Sequence, residues 1–360
     1  MEVLRGLADI ALKSDSGLGE LYEVKGELTG AQAGCKQVIE RRTGVSYALA
    51  ELEVSDLHPR RCDELAAAIL AQRRIVDHPP DAGEELHAAR LACVHEVVCS
   101  PSRIYLASEL APTTGARAED LLTMLQRRGR LPEADVRCIF VRLVLATKRA
   151  HECGAVLRNI KPETVQVHQH QKDGEYVVVI ADLHCAASVP LDDLETPTLT
   201  GLHGTPEYCA PEVSIWYWHE CEPPRLPEAP PAYGAKADLW ALGMCLHVML
   251  CGCFPFSTSA ADNTSLDEES LLRKINQADF SFDDPGWKKV SEDALDLVGQ
   301  LLQRDPSDRP FVEEVLQHPF CADALQDVMS RARVHSAPLG DLAESALAML
   351  DRATLEEDDD

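Results

Sequence analysis

The sequence predicts an α+β fold in which a small strand-rich part precedes a larger helical part. Residues 22–54 contain short apolar and β-branched runs separated by glycines, in YEVKGEL, CKQVIE and VSYALAELEV. From about residue 119 the apolar positions recur with a helical period, in DLLTMLQRRG and EADVRCIFVRLVLATKRAHECG. Apolar residues make up 45% of the 360 residues, which is enough to bury a large core.

The elements between and after these segments follow from the same patterns. The alanine-rich segment 62–75 predicts a helix, and VHEVVCS and RIYLASEL predict two further strands. VQVHQHQKDGEYVVVIADL predicts a hairpin that turns at Lys172-Asp173-Gly174. Its alternating His168 and His170 are interpreted as the exposed face of a strand rather than as metal ligands. The proline-rich segment 221–234 predicts a surface excursion.

Composition excludes several classes of function. The 60 acidic and 34 basic residues give a formal charge of -26, which disfavours nucleic acids and anionic membranes as partners. The 13 cysteines are scattered, which indicates reduced thiols and a cytoplasmic location. The pair Cys251 and Cys253 is interpreted as two small buried side chains rather than a metal or redox site. We expect no membrane anchor, because long apolar runs are absent and the N-terminal Met-Glu lacks the glycine needed for myristoylation.

Five separated motifs occur in one order. They are VLRNIKPET at 156–164, IADLH at 180–184, GTPEYCAPE at 204–212, KADLWALGMCLHVMLCGCFPF at 236–256 and RDPSDRPFVEEVLQHPF at 304–320. Together they resemble the protein kinase family. The resemblance implies a bilobal protein-kinase-like domain over 21–320, with a small β-rich N-lobe at 21–110 and a larger helical C-lobe at 111–320. Residues 1–20 would form an N-terminal extension.

Within this family, the sequence is similar to the calcium-dependent and calmodulin-type protein kinases. TG-x-x-YA at 43–48 and HEVVCSPSRIYLASEL are typical of that branch. The acidic helical tail at 321–360 resembles the junction that follows the kinase domain in calcium-dependent kinases, but no EF-hand loop occurs in the sequence. The tail is equally consistent with an ordinary C-terminal cap, and we expect it not to bind calmodulin.

The resemblance predicts a damaged nucleotide site. Thr29, Ala31 and Gly34 stand at the three glycine positions of the phosphate-binding loop, with Gly30 available if the register slips by one residue. Ala50 stands in place of the lysine that contacts the phosphates.

Three more residues belong to the predicted nucleotide site. Ser108 and Glu109 lie where the family contacts the nucleotide base, and Lys36 is a candidate substitute for the missing cation. The glutamate that normally pairs with the lysine falls near Ala66, with Glu64 close by. The loss of both partners is coherent, because a buried carboxylate without its cation is costly.

The catalytic loop shows comparable losses. Asn159 replaces the aspartate base, and Thr164 replaces the asparagine that holds a second magnesium. Lys161 is retained as a catalytic-loop cation. Asp182 remains as the metal-binding aspartate, but His184 replaces the glycine of that motif. The resemblance therefore implies that ATP and magnesium bind weakly, if they bind.

The structural positions of the family are kept. Asp238 is expected to hydrogen-bond the catalytic-loop backbone, and Glu212 and Arg309 are expected to form a buried ion pair. Arg158 stands where active relatives bind a phosphate on the activation segment, where Thr200 is a candidate acceptor. The simpler interpretation is that Arg158 only stabilises the loop.

The sequence therefore predicts a pseudokinase that binds and regulates other protein kinases or signalling proteins. The alternative is a weak or unconventional ATP-dependent Ser/Thr kinase, with Asp182 on magnesium and Lys36 as substitute cation. A truncated product of an active kinase gene is a third possibility. It does not account for substitutions in four separate motifs.

Overall fold

The computed structural model describes residues 12–14, 18–28, 34–53, 59–78, 89–99, 102–110, 116–170, 174–191, 194, 196–220, 228–256, 268–283 and 285–335. Gly30 and the last 25 residues of the predicted tail lie outside the described residues.

The strands are β1 Leu12–Ser14, β2 Tyr22–Glu27, β3 Lys36–Glu40, β4 Ser46–Glu53, β5 Ala89–Leu91, β6 Val94–Cys99, β7 Arg103–Glu109, β8 Ala116–Asp120, β9 Ala155–Val156, β10 Val165–His170, β11 Tyr176–Ile180 and β12 Ala187–Ser188.

The helices are α1 Leu18–Leu21, α2 Pro59–Asp77, α3 Leu121–Arg128, α4 Glu133–Glu152, α5 Pro211–Ser214, α6 Trp216–Glu220, α7 Lys236–Cys251, α8 Glu268–Gln277, α9 Glu292–Leu301, α10 Val312–Gln317 and α11 Pro319–His335. None of the helices in the described residues has the length and apolar character needed to cross a bilayer.

The N-terminal part is a six-stranded sheet in the order β1-β6-β7-β4-β3-β2. Successive side chains of β4 point to opposite faces of the sheet and join two different apolar clusters. Ala50 and Leu52 pack with Ile69 of α2 on one face, whereas Leu49 packs with Val38 on the other. The strands β2 and β3 form the expected hairpin, in which the Leu28 amide donates to the Cys35 carbonyl at 2.8 Å.

The described part of the predicted N-terminal extension belongs to this sheet. β1 adds to β6 as a parallel strand, with Leu12 opposite Val97. Leu18 and Leu21 of α1 then pack against the apolar cluster on the outer face. Residues 12–14 and 18–21 therefore extend the small lobe.

The C-terminal part is built around α4 and α7. Every residue of α7 from Ala237 to Leu250 is buried, so this helix forms the centre of the core. α11 packs along α4, and Arg137 donates to the Phe320 carbonyl at 2.8 Å. The first 15 residues of the predicted tail thus belong to a helix packed on the domain, as in an ordinary C-terminal cap.

One expectation about exposure is wrong. β10 and β11 form the predicted antiparallel hairpin, but His168 on β10 is buried. His168 lies opposite Val177, on the face of the sheet where Val177 and Val179 form an apolar cluster with Ala92 and Ala181. In the proline-rich segment, residues 221–227 lie outside the described residues, whereas Glu228, Ala229 and Pro231 are exposed. The segment ends at Tyr233, which is buried and pairs with Leu199 in an isolated β-bridge.

The packing of α7 on α9 predicts a contrast between two glycines. A Cβ on Gly243 would lie 2.7 Å from Leu301 Cβ, whereas nothing lies within 4 Å of a Cβ on Gly299. We expect Gly243→Ala to lower the free energy of unfolding by about 1–3 kcal/mol through overpacking. The control Gly299→Ala should raise it by about 0.5–1 kcal/mol, because alanine favours a helix over glycine. Urea unfolding measures both values, and equal effects would contradict the α7–α9 contact.

Candidate functional site

A cavity of about 300 Å³ lies between the six-stranded sheet and the helical part. The described residues that line it come from β3, β4, α2, β6, β7, the loop before β10 and the loop after β11. They are Cys35, Ala50, Leu65, Ile69, Gln72, Ala92, Val94, Leu106, Ser108, Lys161, Glu163, Thr164, Asp182, Leu183 and His184. Six of the residues predicted from sequence, namely Ala50, Ser108, Lys161, Thr164, Asp182 and His184, therefore meet in one cavity.

The sheet wall of the cavity carries small and neutral side chains. Ala50 presents a methyl group, and the Ser108 hydroxyl contacts the Ala48 carbonyl at 3.4 Å. Glu109 is not among the lining residues, and its amide donates to the Cys93 carbonyl at 3.0 Å. Burial raises the pKa of the Glu109 carboxyl. The described residues of this wall offer no cation to a phosphate. Gly34 has φ +85° at the turn before β3 and also lies outside the lining.

Lys36 does not reach the cavity, which corrects the prediction that it replaces the missing lysine. Lys36 pairs with Leu49 across β3 and β4, so its side chain lies on the face opposite to that of Ala50. Its Nζ atom lies 3.1 Å from Glu51 Oε2, and Glu51 also pairs with Arg103 at 2.6 Å. Cys35, the residue before Lys36, lines the cavity instead.

A neutral amide connects α2 to the rest of the site. Gln72 is buried, its Nε2 donates to the Leu183 carbonyl at 3.0 Å, and its Oε1 accepts from the Val94 amide at 2.9 Å. Ala66 packs in the apolar cluster under the sheet, and Glu64 is exposed. Gln72 thus connects α2 to β6 and to Leu183, the residue after Asp182, by hydrogen bonds and without an ion pair.

Asp238 holds the backbone of the catalytic loop. Its fully buried carboxylate accepts hydrogen bonds from the amides of Leu157 and Arg158, both at 2.8 Å. His151 Nε2 lies 2.8 Å from the same carboxylate. Arg158 has a left-handed φ of 61°, which these bonds stabilise.

The side chains of the catalytic loop form a closed set of contacts around Thr205. The Thr205 hydroxyl donates to Asn159 Oδ1 at 3.2 Å, and Lys161 Nζ donates to the Thr205 hydroxyl at 2.6 Å. The Thr164 hydroxyl donates to the Asn159 carbonyl at 3.0 Å and accepts from the Lys161 amide at 3.2 Å. Asn159 and Thr164 are both buried, so their polar atoms serve the loop itself.

Asp182 is paired with the residue that replaces the family's glycine. Its backbone is left-handed, with φ 57° and ψ 56°, and His184 Nδ1 lies 2.5 Å from its Oδ1. The hydrogen bond to Asp182 raises the pKa of His184 to about 10, so the ring is cationic at neutral pH.

These residues do not fit a magnesium site. Magnesium sites combine carboxylates with substrate phosphates in octahedral geometry. Here the Asp182 carboxylate already faces an imidazolium, and the Thr164 hydroxyl is bonded within the loop. Among the described residues there is no group of three or more His, Cys, Asp or Glu side chains that could hold a metal ion.

Hydrogen bonds attach the activation segment to the fold. Arg158 Nε donates to the Cys185 carbonyl at 2.6 Å, and its Nη1 lies 3.4 Å from the Tyr233 hydroxyl. Thr200 is exposed, and the neighbouring Leu202 amide donates to Glu220 at 3.0 Å. Arg158 thus links the catalytic loop to Cys185 in this structure, and both interpretations of its role stay predictions.

Glu212 and Arg309 form a bidentate ion pair. Each of the two nitrogen–oxygen distances is 2.7 Å, and the Arg309 side chain is fully buried. Arg309 also donates to the Gln303 carbonyl at 2.8 Å and to the Lys236 carbonyl at 3.0 Å. This network joins the end of the activation segment to the core.

Comparison with known proteins identifies the family. Residues 22–321 match the family model described as the protein kinase domain. The chain belongs to the protein kinase family. This membership confirms the family and the α+β bilobal fold that the ordered motifs predicted.

Several curated relatives are Ser/Thr kinases. The chain is 28% identical over 307 residues to calcium/calmodulin-dependent protein kinase type 1B of Rattus norvegicus. The match covers 85% of this chain and 76% of that protein. It is 30% identical over 295 residues to serine/threonine-protein kinase DCLK3 of Homo sapiens, covering 82% of this chain and 39% of that protein. It is 29% identical over 272 residues to CBL-interacting serine/threonine-protein kinase 7 of Arabidopsis thaliana, and the match covers 76% of this chain and 52% of that protein.

Sequence reasoning missed Gln72 and Thr205. Thr205 follows the glycine of GTPEYCAPE, so its position before the A-P-E motif is the signal that could have identified it. Gln72 is a polar residue inside the apolar helical run 62–75, and this interruption was its only signal.

The Gln72 bridge predicts a stability loss that an exposed glutamine does not share. Gln72→Leu leaves the Val94 amide and the Leu183 carbonyl without their partner, at a cost of about 1–3 kcal/mol for each buried group. The exposed control Gln303→Leu should change the free energy of unfolding by less than about 0.5 kcal/mol. Chemical denaturation compares the two variants. Equal stabilities would show that the bridge does not hold α2.

Proposed function

We propose that this chain is a catalytically impaired member of the protein kinase family that acts by binding and regulating other protein kinases or signalling proteins. The observation that carries the proposal is the state of Asn159. An amide occupies the position of the general base, and its oxygen already accepts a hydrogen bond from Thr205. An amide does not take up a proton at neutral pH, so this position supplies no base to a substrate hydroxyl.

The electrostatics of the cavity support the same proposal. Phosphoryl transfer depends on positioning and on neutralising the charge of the transferred group. Lys161 is the one lysine or arginine among the described lining residues, and it is bonded to Thr205. Glu163 and Asp182 add two carboxylates. Protein kinase domains use ATP and magnesium, but this cavity offers their phosphates little compensating charge.

The retained framework supports a role in binding. Asp238 holds the catalytic loop, and the pair of Glu212 and Arg309 holds the activation segment. A surface that is ordered before binding loses less conformational entropy when a partner binds. The ten cysteines whose side chains the structure describes are free thiols, which fits the expected cytoplasmic setting of such a signalling protein.

The alternative function is weak Ser/Thr phosphorylation. Lys161, Thr205 and Asp182 are present, and the curated relatives named above are Ser/Thr kinases. This alternative requires His184 to release the Asp182 carboxylate. Lys36 does not provide the substitute cation for this alternative, because its side chain lies on the other face of the sheet.

Transfer of radiolabelled phosphate from ATP to a basic peptide separates the two functions. We expect the wild-type chain to show background transfer, and the variant Ala50→Lys/Asn159→Asp to show partial recovery. A positioned base contributes about 10²- to 10⁴-fold, but Thr164 and His184 still differ from the family. Asp182→Ala in the double variant should abolish the recovered activity. Wild-type transfer that Asp182→Ala removes would overturn the proposal in favour of the weak kinase.

Nucleotide binding is measured separately by thermal unfolding with ATP. A ligand at 100 times its Kd stabilises by about 2.7 kcal/mol, and one at its Kd by about 0.4 kcal/mol. At millimolar ATP we expect less than about 1 kcal/mol for the wild type and no further gain from magnesium, because Asp182 is paired with His184. Ala50→Lys restores a cation and should increase the ATP effect. A large magnesium-dependent stabilisation of the wild type would contradict this expectation.

A further inference from the structure

Two cysteine side chains meet at the end of the most deeply buried helix. Cys251 is the last residue of α7, and Gly252 separates it from Cys253. Their Sγ atoms are 3.1 Å apart. Cys251 is half-buried and Cys253 is exposed. The interpretation of both as small buried side chains is therefore wrong for Cys253.

The backbone around the pair is held on both sides. Gly252 has φ +78°, and its amide donates to the Val248 carbonyl at 2.8 Å. A Cβ on Gly252 would lie 3.2 Å from the Arg130 amide nitrogen, so this close approach favours glycine. The Cys253 carbonyl lies 3.1 Å from Nδ1 of His247, a buried ring whose centroid is 4.7 Å from that of Trp287. The short sulfur–sulfur distance thus belongs to a fixed turn.

Four of the buried thiols are less suited to react. Burial raises the pKa of Cys209 to about 12 and that of Cys321 to about 12, and it also raises the pKa values of Cys93 and Cys245. The thiolate is the reactive form of cysteine. These four side chains therefore stay protonated and shielded, whereas Cys253 is open to solvent.

We propose that Cys251 and Cys253 form a redox-active dithiol that a hydroperoxide converts into a disulfide. The Cys253 thiolate attacks the peroxide oxygen, which gives a sulfenic acid at Cys253 and releases the alcohol or water. The Cys251 sulfur then attacks the Cys253 sulfur, forms the S–S bond and expels the hydroxyl group as water. The two thiols lose two electrons and two protons, and the peroxide is reduced.

The geometry allows this closure. A disulfide needs an S–S distance of about 2.05 Å and Cα atoms about 4.4–6.8 Å apart. Two residues separated by one glycine span at most about 7 Å, and the left-handed turn at Gly252 shortens that span. The sulfurs must approach by about 1 Å from their present separation.

Closure has a path to the catalytic loop. Phe254 follows Cys253 directly, and its ring packs edge-on against Tyr208 with centroids 5.5 Å apart. The Tyr208 amide donates to the carbonyl of Thr205 at 2.9 Å. A shift of Cys253 toward Cys251 therefore acts first on Phe254 and then on the segment that contacts Asn159.

Peroxide oxidation of the reduced full chain, followed by alkylation and peptide mass spectrometry, tests the proposal. We expect a loss of two hydrogens with a Cys251–Cys253 cross-link that dithiothreitol reverses. Cys253→Ser, at an exposed position, should remove the cross-link, whereas the matched control Cys138→Ser, at a half-buried thiol, should keep it. Sulfenic or sulfinic acid at Cys253 without a cross-link would overturn the proposal, and so would a two-hydrogen loss that persists in Cys253→Ser.

Hydrogen exchange of the same samples tests the path through Phe254. Oxidised wild type should exchange the amides of 204–210 at a changed rate, and peroxide-treated Cys253→Ser should not. Unchanged exchange in a cross-linked wild type would rule out the coupling to Tyr208. Thermal unfolding of the reduced Cys253→Ser variant verifies that the substitution leaves the fold intact.

Discussion

The buried carboxylate of Asp238 fixes the backbone position of the catalytic loop. It accepts the Leu157 and Arg158 amides, and it lies against the ring of His151. A left-handed residue other than glycine costs about 1–2 kcal/mol, so Arg158 keeps its φ of 61° because these bonds offset that cost. The direction of Asn159 toward Thr205 depends on this turn. The loop would keep its shape whether residue 159 were an acid or an amide.

The described lining residues of the cavity on β4 and α2, namely Ala50, Leu65, Ile69 and Gln72, are all neutral. A buried ion pair is costly to break on one side only, and replacing both partners by neutral groups avoids an unpaired charge. Ala50 and the apolar inner face of α2 are such a replacement, and Gln72 provides the link between helix and sheet. At Asp182 the carboxylate remains, and the imidazolium of His184 compensates its charge.

The family and its two lobes were predictable because five motifs occur in the family's order. The β2–β3 and β10–β11 hairpins were predictable from alternating apolar residues and turn residues. The position of Lys36 was not predictable, since a shift of one residue in strand register moves a side chain to the other face. His168 was misjudged because alternation does not tell which face another layer covers. Gln72 belongs to no motif, and its role follows only from where α2 meets β6.

The parallel strand β1 changes which partners the small lobe can accept. It occupies the outer side of β6, whose backbone groups would otherwise be available to an extended peptide. Among the described strands of that sheet, the remaining outer strand is β2, which has a bulge between Val24 and Gly26 and a 59% exposed Val24. Bulges and charges on an outer strand discourage pairing with a second chain. Loss of the first 14 residues would therefore leave the backbone groups of β6 open to pairing with a second chain, at the edge of the sheet opposite to β2.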